Sequence, residues 1–468
     1  MGRSAKRAAA PAADPVPLAI ESLDLEGHGI AHHDGKVVFV RGGLPGERVQ
    51  AAIVRSKPRF DVAEVVAIDA PSCSRVVPAC PHFGVCGGCA TQHVEPRAQV
   101  AFKQRVLEET LRHLGRVEPE QVLPPIEGPA WGYRHRARLT VRDVAKKGGV
   151  LVGFHERGSS FVADMGECRV LPPAVSALLL PLRRLAEALS IRQRLPQVEV
   201  AIGDRDTPPR QPVALVFRVL EPPSGTDLER LREFAAEHAL EVWLQPRGPD
   251  SIELLASGIT PAAAVRGGSA LAYTLPEFGL TIPFAPTEFT QVNAAINRQL
   301  VAHAVRLLAP DEHDRVVDLF CGLGNFTLPL ATRARRVVGI EGAPALVARA
   351  RENALRNQAA LRAPPGPDGV EFGVDDLFAF DADAWQRLGR VDRLLIDPPR
   401  DGAVAVARVL ADSGARPQRI VYVSCNPATL ARDLNILVND GGWRLRAAGV
   451  INMFPQTAHV ESIVLLET

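Results

Sequence analysis

The sequence predicts an α/β chain. Its last third reads as a doubly wound, Rossmann-like domain, with a small OB-like β-barrel near the start and a central α+β domain between them. Three observations predict this arrangement. Apolar runs at 315–320, 336–341, 391–396 and 421–423 are short, continuous and spaced by helix-length patterns, as strands buried on both faces are. The first run opens into a glycine turn, Cys321-Gly322-Leu323-Gly324-Asn325-Phe326, that leads toward a helix. Residues 16–70 instead carry short strand-like runs divided by Gly, Pro and Asp.

A length of 468 residues is a prior for about three domains. Hydrophobic content of 46% allows a sizeable core, and a net charge of +1 implies no bulk attraction to nucleic acid. Any nucleic-acid binding must therefore come from local patches. The six lysines are far outnumbered by arginines, which fits a GC-rich codon bias alongside abundant Ala, Pro and Gly. No apolar run is long enough to span a membrane, and the basic, Ala- and Pro-rich residues 1–15 lack the apolar core of a secretory signal. Those residues read as a disordered basic arm. Seven cysteines, an odd number without an export signal, fit a reducing compartment and a cytoplasmic protein.

In order, residues 16–70 are expected to form a five-strand barrel, an oligonucleotide-binding scaffold, with Asp34-Gly35 as a hairpin turn. Basic and acidic residues nearly offset each other in this segment. Cys80-x5-Cys86-x2-Cys89 follows in a Gly- and Pro-rich loop, with Cys168 further on. Four soft ligands without a nearby carboxylate point to an iron–sulfur cluster or a structural zinc, and Cys73 falls outside the set. Residues 95–115 read as an amphipathic helix with Val100, Val106, Leu107, Leu111 and Leu114 on one side. In 131–147, Arg134, Arg136 and Arg138 alternate, so on a strand they share one face. Trp131 and Tyr133 lie nearby, and six Lys/Arg face a single Asp. That pattern suits RNA phosphates and stacked bases, or simply a solvated strand face. Apolar helices are expected near 173–190 and 225–238, and 190–285 carries no recognisable chemistry. The expected division is an arm over 1–15 and a barrel over 16–70. A central α+β domain covers 71–93 and 123–285, and the doubly wound domain covers 94–122 and 286–468.

The chemistry is concentrated at the end. After Gly322 and Gly324, Thr327 stands where a dinucleotide fingerprint needs a third glycine, and Asp318 precedes the turn. Glu341 ends the next strand, where it suits a ribose diol. These features favour S-adenosyl-L-methionine, whose sulfonium has no pyrophosphate to cradle. Asp375-Asp376 follows a short strand, and Asp376 is a candidate for the adenine amino group. Asp397-Pro398-Pro399-Arg400 ends a strand and suits a planar nitrogenous group. Cys425 sits at a strand tip in Val421-Tyr422-Val423-Ser424-Cys425-Asn426-Pro427, as a nucleophile or as a buried structural thiol. Glu461 lies in a terminal strand, as a base or as an exposed carboxylate.

At these residues the chain resembles the RNA uracil-C5 methyltransferases. The motifs that carry the resemblance are Phe289-Thr290-Gln291-Val292-Asn293, Asp318-Leu319-Phe320-Cys321-Gly322-x-Gly324, Asp397-Pro398-Pro399-Arg400, Ser424-Cys425-Asn426-Pro427 and His459-Val460-Glu461-Ser462. Residues 16–70 look like a TRAM domain, and the four cysteines look like ligands of a [4Fe–4S] cluster. The resemblance implies Cys425 as nucleophile and Glu461 as base. It places Gln291, Phe320, Glu341 and Asp397 at the cofactor and uracil sites, with Asn325 close by. Cys321 reads as packing. It further implies 23S ribosomal RNA as partner, with uridine 1939 flipped out of a loop, and a monomeric enzyme without a membrane. Another ribosomal or transfer-RNA uridine is the alternative substrate, and a non-catalytic RNA-binding iron–sulfur protein is the alternative function.

Overall fold

The computed structural model describes residues 14–204, 211–259, 269–414 and 416–468. Most of the expected basic arm, residues 1–13, lies outside these. The chain divides into two compact units. One comprises 1–83, 89–106 and 456–459, and the other comprises 84–88, 107–455 and 460–468.

The first unit contains a six-stranded sheet of β1 (Val16–Ala19), β2 (Ser22–Leu23), β3 (Gly29–His33), β4 (Lys36–Arg41), β5 (Arg48–Ser56) and β6 (Phe60–Ala70), in the order β1-β5-β6-β4-β3-β2. There are six strands rather than the five expected, because the first run breaks at Ile20-Glu21. Ile20 and Glu21 turn their N–H groups to Glu47 and Ile30 carbonyls. Asp34 and Gly35 both have positive φ, at 49° and 75°, as a two-residue hairpin turn requires. Leu18, Ala31, Val38, Val49 and Ala63 form a small separate core. Beyond the sheet, α1 (Pro96–Thr110) continues into a short π-helical turn over Leu111–Gly115. Leu114, expected on the apolar side, is exposed, since the wider turn rotates it outward.

In the second unit, β7 (Gln121–Val122) is a short edge strand. A mixed sheet follows, made of β8 (Arg136–Val144), β9 (Gly149–Gly153), β10 (Gln197–Ile202), β11 (Val213–Arg218), β12 (Glu241–Gln245) and β13 (Glu253–Ser257), in the order β13-β12-β11-β10-β8-β9. The apolar stretch expected near 173–190 is two helices, α2 (Pro173–Ser176) and α3 (Leu179–Ala188). The helix expected near 225–238 is α4 (Gly225–His238), held by a Ser224–Asp227 capping box. A hairpin, β14 (Ala272–Leu275) and β15 (Leu280–Pro283), precedes α5 (Ala294–Leu308).

The rest is one alternating run: β16 (Arg315–Leu319), α6 (Thr327–Ala331), β17 (Arg336–Glu341), α7 (Pro344–Arg356), β18 (Val370–Val374), α8 (Ala382–Leu388), β19 (Arg393–Ile396), α9 (Val404–Asp412), β20 (Arg419–Ser424), α10 (Pro427–Asn435), β21 (Arg444–Ile451) and β22 (Glu461–Glu467). The sheet order is β18-β17-β16-β19-β20-β22-β21-β7. Strands β18 to β20 are parallel, and β22 runs antiparallel between β20 and β21. The chain order reverses between β16 and β19. That is the switch point where an open α/β sheet leaves a crevice at its carboxyl edge. The central strands are apolar throughout because both faces are covered, and Ile420 to Val423 have no exposed surface.

Candidate active site

The crevice begins at the C-terminal end of β16. Phe320 takes φ +65°, an uncommon conformation for a residue with a Cβ, and reverses the chain into the glycine turn. Gly324 has φ +95°, and a Cβ there would lie 3.1 Å from Leu328, so the turn can close onto α6 only with glycine. Cys321 is buried, and a Cβ on Gly339 would lie 2.9 Å from its sulfur. Its thiol fills the space between β16 and β17, which is the packing role expected of it. Thr327, in place of a third glycine, donates its hydroxyl to Asp318 Oδ2 at 2.5 Å. Glu341 receives the Gly322 N–H at 3.1 Å and the Ala343 N–H at 3.0 Å, which aims its carboxylate at the mouth of the turn.

The acidic set fits the expected S-adenosyl-L-methionine. Burial pushes the Asp318 carboxyl up to about 8; the Thr327 hydrogen bond opposes this, and the charges of Asp397 and Glu341 add to it. Among the described residues, Asp318 Oδ1 is buried with no hydrogen-bond partner. Three carboxyl groups thus gather at β16, β17 and the end of β19, and a bound sulfonium or ammonium group would favour the ionised form that burial disfavours in Asp318 and Asp397.

The turn is clamped by residues for which the sequence offered no signal. Asn325 and Asn297 on α5 exchange amide hydrogen bonds at 2.9 and 3.0 Å, and Tyr273 on β14 donates to Asn325 Oδ1 at 2.9 Å. Asn353 on α7 donates to the Leu323 carbonyl at 3.1 Å. Asn325, expected near the cofactor, therefore has its amide committed to positioning the turn. Tyr273→Phe should weaken cofactor binding about fivefold, the effect of one hydrogen bond of about 1 kcal/mol. Isothermal titration calorimetry checks this, and an unchanged affinity would separate the clamp from the cofactor.

Cys425 and Glu461 stand at the same end of β20 and β22. The ladder ends with Ser424 paired to Ser462; Cys425 follows Ser424 in the turn, Glu461 precedes Ser462 at the start of β22, and the Glu461 charge acts on the Cys425 thiol. The Cys425 turn is braced. Asn426 caps α10 through the Ala428 N–H at 3.0 Å, and Asn426 Nδ2 and Thr429 Oγ1 both donate to the Arg400 carbonyl. Tyr422, a polar residue in a buried strand, donates to Asp433 at 2.8 Å and ties the strand to α10.

Charge then tunes the pair. Burial pushes the Cys425 thiol up to about 11; Glu461 and Asp397 push the same way and Arg400 opposes them. Burial brings Glu461 up to about 7, again against Arg400. Burial and the Glu461 charge hold Asp397 well above the usual carboxylate range. The result is a neutral thiol beside a carboxyl group that titrates near neutrality, with one guanidinium that favours the thiolate.

The other expected site residues are placed as follows. Gln291 is half-buried in the loop ahead of α5, where Asn293 caps the helix through the Ile296 N–H and donates to the Met453 carbonyl. Asp376 is exposed and accepts the Phe378 N–H. Arg134 is not on β8: its N–H bonds to the Val170 carbonyl, so only Arg136 and Arg138 share the strand face. The four-cysteine expectation finds no support in the geometry. Among the described residues no group of three or more His, Cys, Asp or Glu is gathered to hold a metal. Cys86 and Cys168 are buried and Cys80 and Cys89 half-buried, and Cys86 Sγ accepts the Gly88 N–H at 3.4 Å.

Comparison with known proteins gives a consistent picture. The family model described as tRNA (Uracil-5-)-methyltransferase matches residues 280–362 and 382–468, and the TRAM domain model matches 16–66. The chain is 57% identical over 453 residues to a protein of Bordetella bronchiseptica named 23S rRNA (uracil(1939)-C(5))-methyltransferase RlmD, covering 96% of this chain and 93% of that one. A protein of the same name from Burkholderia pseudomallei is 55% identical over 477 residues, covering 99% and 97%. Among solved structures, the Pyrococcus abyssi tRNA (uracil-54, C5)-methyltransferase in complex with S-adenosyl-L-homocysteine superposes with a TM-score of 0.69. Identity is 22%, with 96% of this chain and 99% of that one covered, and shows a shared fold.

Proposed function

The chain belongs to the tRNA/rRNA uracil-C5 methyltransferase family, and from that premise we propose that it methylates C5 of uridine 1939 in 23S ribosomal RNA. The observation that carries the chemistry is that Cys425, one residue past the last β20–β22 pair, feels the charge of Glu461 at the start of β22. Uracil C5 is a weak nucleophile. The Cys425 sulfur adds to C6 as its proton passes to water, and the electron pair of the C5–C6 bond shifts toward C5 and the O4 carbonyl. S-adenosyl-L-methionine, when bound, supplies the electrophilic methyl group for that carbon. Glu461 then takes the C5 proton, and the electron pair left behind expels the thiolate. Arg400 stabilises the thiolate at both ends of this sequence. Asp397 and Gln291 are proposed to line the uracil and cofactor sites, with Glu341 and Asp318 toward the cofactor and Asp376 toward its adenine.

The ring must be unstacked to lie between thiol and carboxyl, so the target is a flipped base in a loop. The test is to incubate the protein with unmodified 23S ribosomal RNA and S-adenosyl-L-methionine, then map 5-methyluridine by nuclease digestion and mass spectrometry. A methyl group at uridine 1939 is expected, and methylation only of transfer RNA would overturn the substrate assignment.

A [4Fe–4S] cluster on Cys80, Cys86, Cys89 and Cys168 is part of the same proposal. It rests on their spacing alone, and no step of the reaction runs through it. Protein purified anaerobically should be brown, with about four irons per chain; a colourless, zinc-containing preparation would make it a structural zinc site. The enzyme is proposed to act as a cytoplasmic monomer. Among the described residues no helix is long and apolar enough to cross a membrane.

A further inference from the structure

The three arginines that alternate in sequence are separated by the fold. Arg134 donates Nε to the Arg136 carbonyl at 3.0 Å and lies over the Phe154 ring at 5.6 Å. Arg138 is 70% exposed and paired with Glu199 at 3.1 Å. Arg136 differs from both. It opens β8 with its side chain largely buried, and among the described residues no carbonyl or carboxylate accepts a hydrogen bond from its guanidinium. Two acidic groups lie close enough to act on it, Glu199 and Glu288. Each is already committed, Glu199 to Arg138 and Gln197, and Glu288 to Arg349 at 2.9 Å. Burial lowers the Arg136 pKa only to about 10, so the cation persists at neutral pH.

A guanidinium without an acceptor is costly to keep partly buried, and its fork of donors matches a phosphate better than any other RNA group. Its position also matters. The His135 N–H donates to the Val292 carbonyl at 2.7 Å, which ties the start of β8 to the loop that carries Gln291. On the same outward face, Arg138 and the exposed Arg142 extend the positive surface along the strand. We propose that the outer face of β8 binds the RNA backbone close to the target uridine, with the Arg136 guanidinium contacting one phosphate. This rests on the functional reading above and assigns part of its RNA site.

The test measures binding of a 23S ribosomal RNA fragment containing the target loop at several salt concentrations, for wild type, Arg136→Met and Arg136→Lys. Arg136→Met should bind about tenfold more weakly, with a salt dependence reduced by about one counterion. Arg136→Lys should recover the salt dependence while losing part of the affinity. S-adenosyl-L-methionine affinity, which reports folding of the methyltransferase domain, should be equal in all three. Neutralising RNA phosphates one at a time as methylphosphonates should then reveal one position that weakens wild type but has no further effect on Arg136→Met. Equal RNA affinity and salt dependence in wild type and Arg136→Met would overturn the proposal, as would phosphate neutralisations that weaken both proteins alike. Methylation of the fragment by wild type checks the functional reading separately: if it is absent that reading fails, while RNA binding still decides the role of Arg136.

Discussion

Replacing Cys425 by alanine should lower the rate of methyl transfer by roughly 10⁴-fold or more, the scale of losing a covalent nucleophile. The cofactor should still bind with unchanged affinity. The acidic groups proposed to face it, Asp318 and Glu341, lie in β16 and β17, whereas Cys425 follows β20, two strands from β16. The substitution removes one small, half-buried side chain, and the bonds that brace the turn come from Ser424, Asn426 and Thr429 instead. Single-turnover methylation and calorimetric cofactor binding, measured on one preparation, check both halves. Full activity in Cys425→Ala would remove the nucleophile assignment.

Glu461→Gln has a different expected signature. Sulfur can still add to C6 and C5 can still be methylated, but the C5 proton has no acceptor. A covalent RNA–protein adduct should therefore accumulate, seen as a retarded band in denaturing electrophoresis, while turnover falls roughly 10²- to 10⁴-fold. The pH dependence adds a second signature. Glu461 is raised from 4.5 to about 7 by burial, so its basic form gains population as pH rises through about 7, and the wild-type rate should rise over that range. Glutamine should remove that limb. The stability consequence has a defined sign. A carboxyl whose folded pKa lies above its unfolded value favours the folded state below about pH 4.5, and that contribution is lost as pH rises through 7. Above pH 7, Glu461→Gln should therefore raise the melting temperature, by a free energy on the order of 3 kcal/mol at most. No adduct and an unchanged pH profile would count against the base role.

The strands of the catalytic sheet were legible because burial on both faces forces continuous apolar runs. β17 lies where the run 336–341 predicted it, and β16 and β19 fall within their runs. The terminal strand that carries Glu461 and the turn at Cys425 were equally legible. What the sequence hid was long-range hydrogen bonding. Nothing in the sequence around Tyr273, in a segment without recognisable chemistry, shows that its hydroxyl reaches an amide 52 residues away. The arginine alternation was real, but a period of two is compatible with any extended backbone. Only the departure of the Arg134 N–H to Val170 shows where pairing begins. Leu114 misled for a related reason: helical periodicity assumes a uniform turn, and the chain widens at Leu111–Gly115.

The central claim is that Cys425 attacks a uracil held against Glu461. The most direct test uses a 23S ribosomal RNA fragment carrying 5-fluorouridine at the target position, incubated with wild-type protein and S-adenosyl-L-methionine. Fluorine at C5 cannot be removed as a proton, so elimination is blocked and the adduct should persist. Tandem mass spectrometry of the digested complex should find one methylated fluorouridine attached to the peptide containing Cys425. Attachment at Cys321 or another cysteine, or a methylated product with no adduct at all, would contradict it.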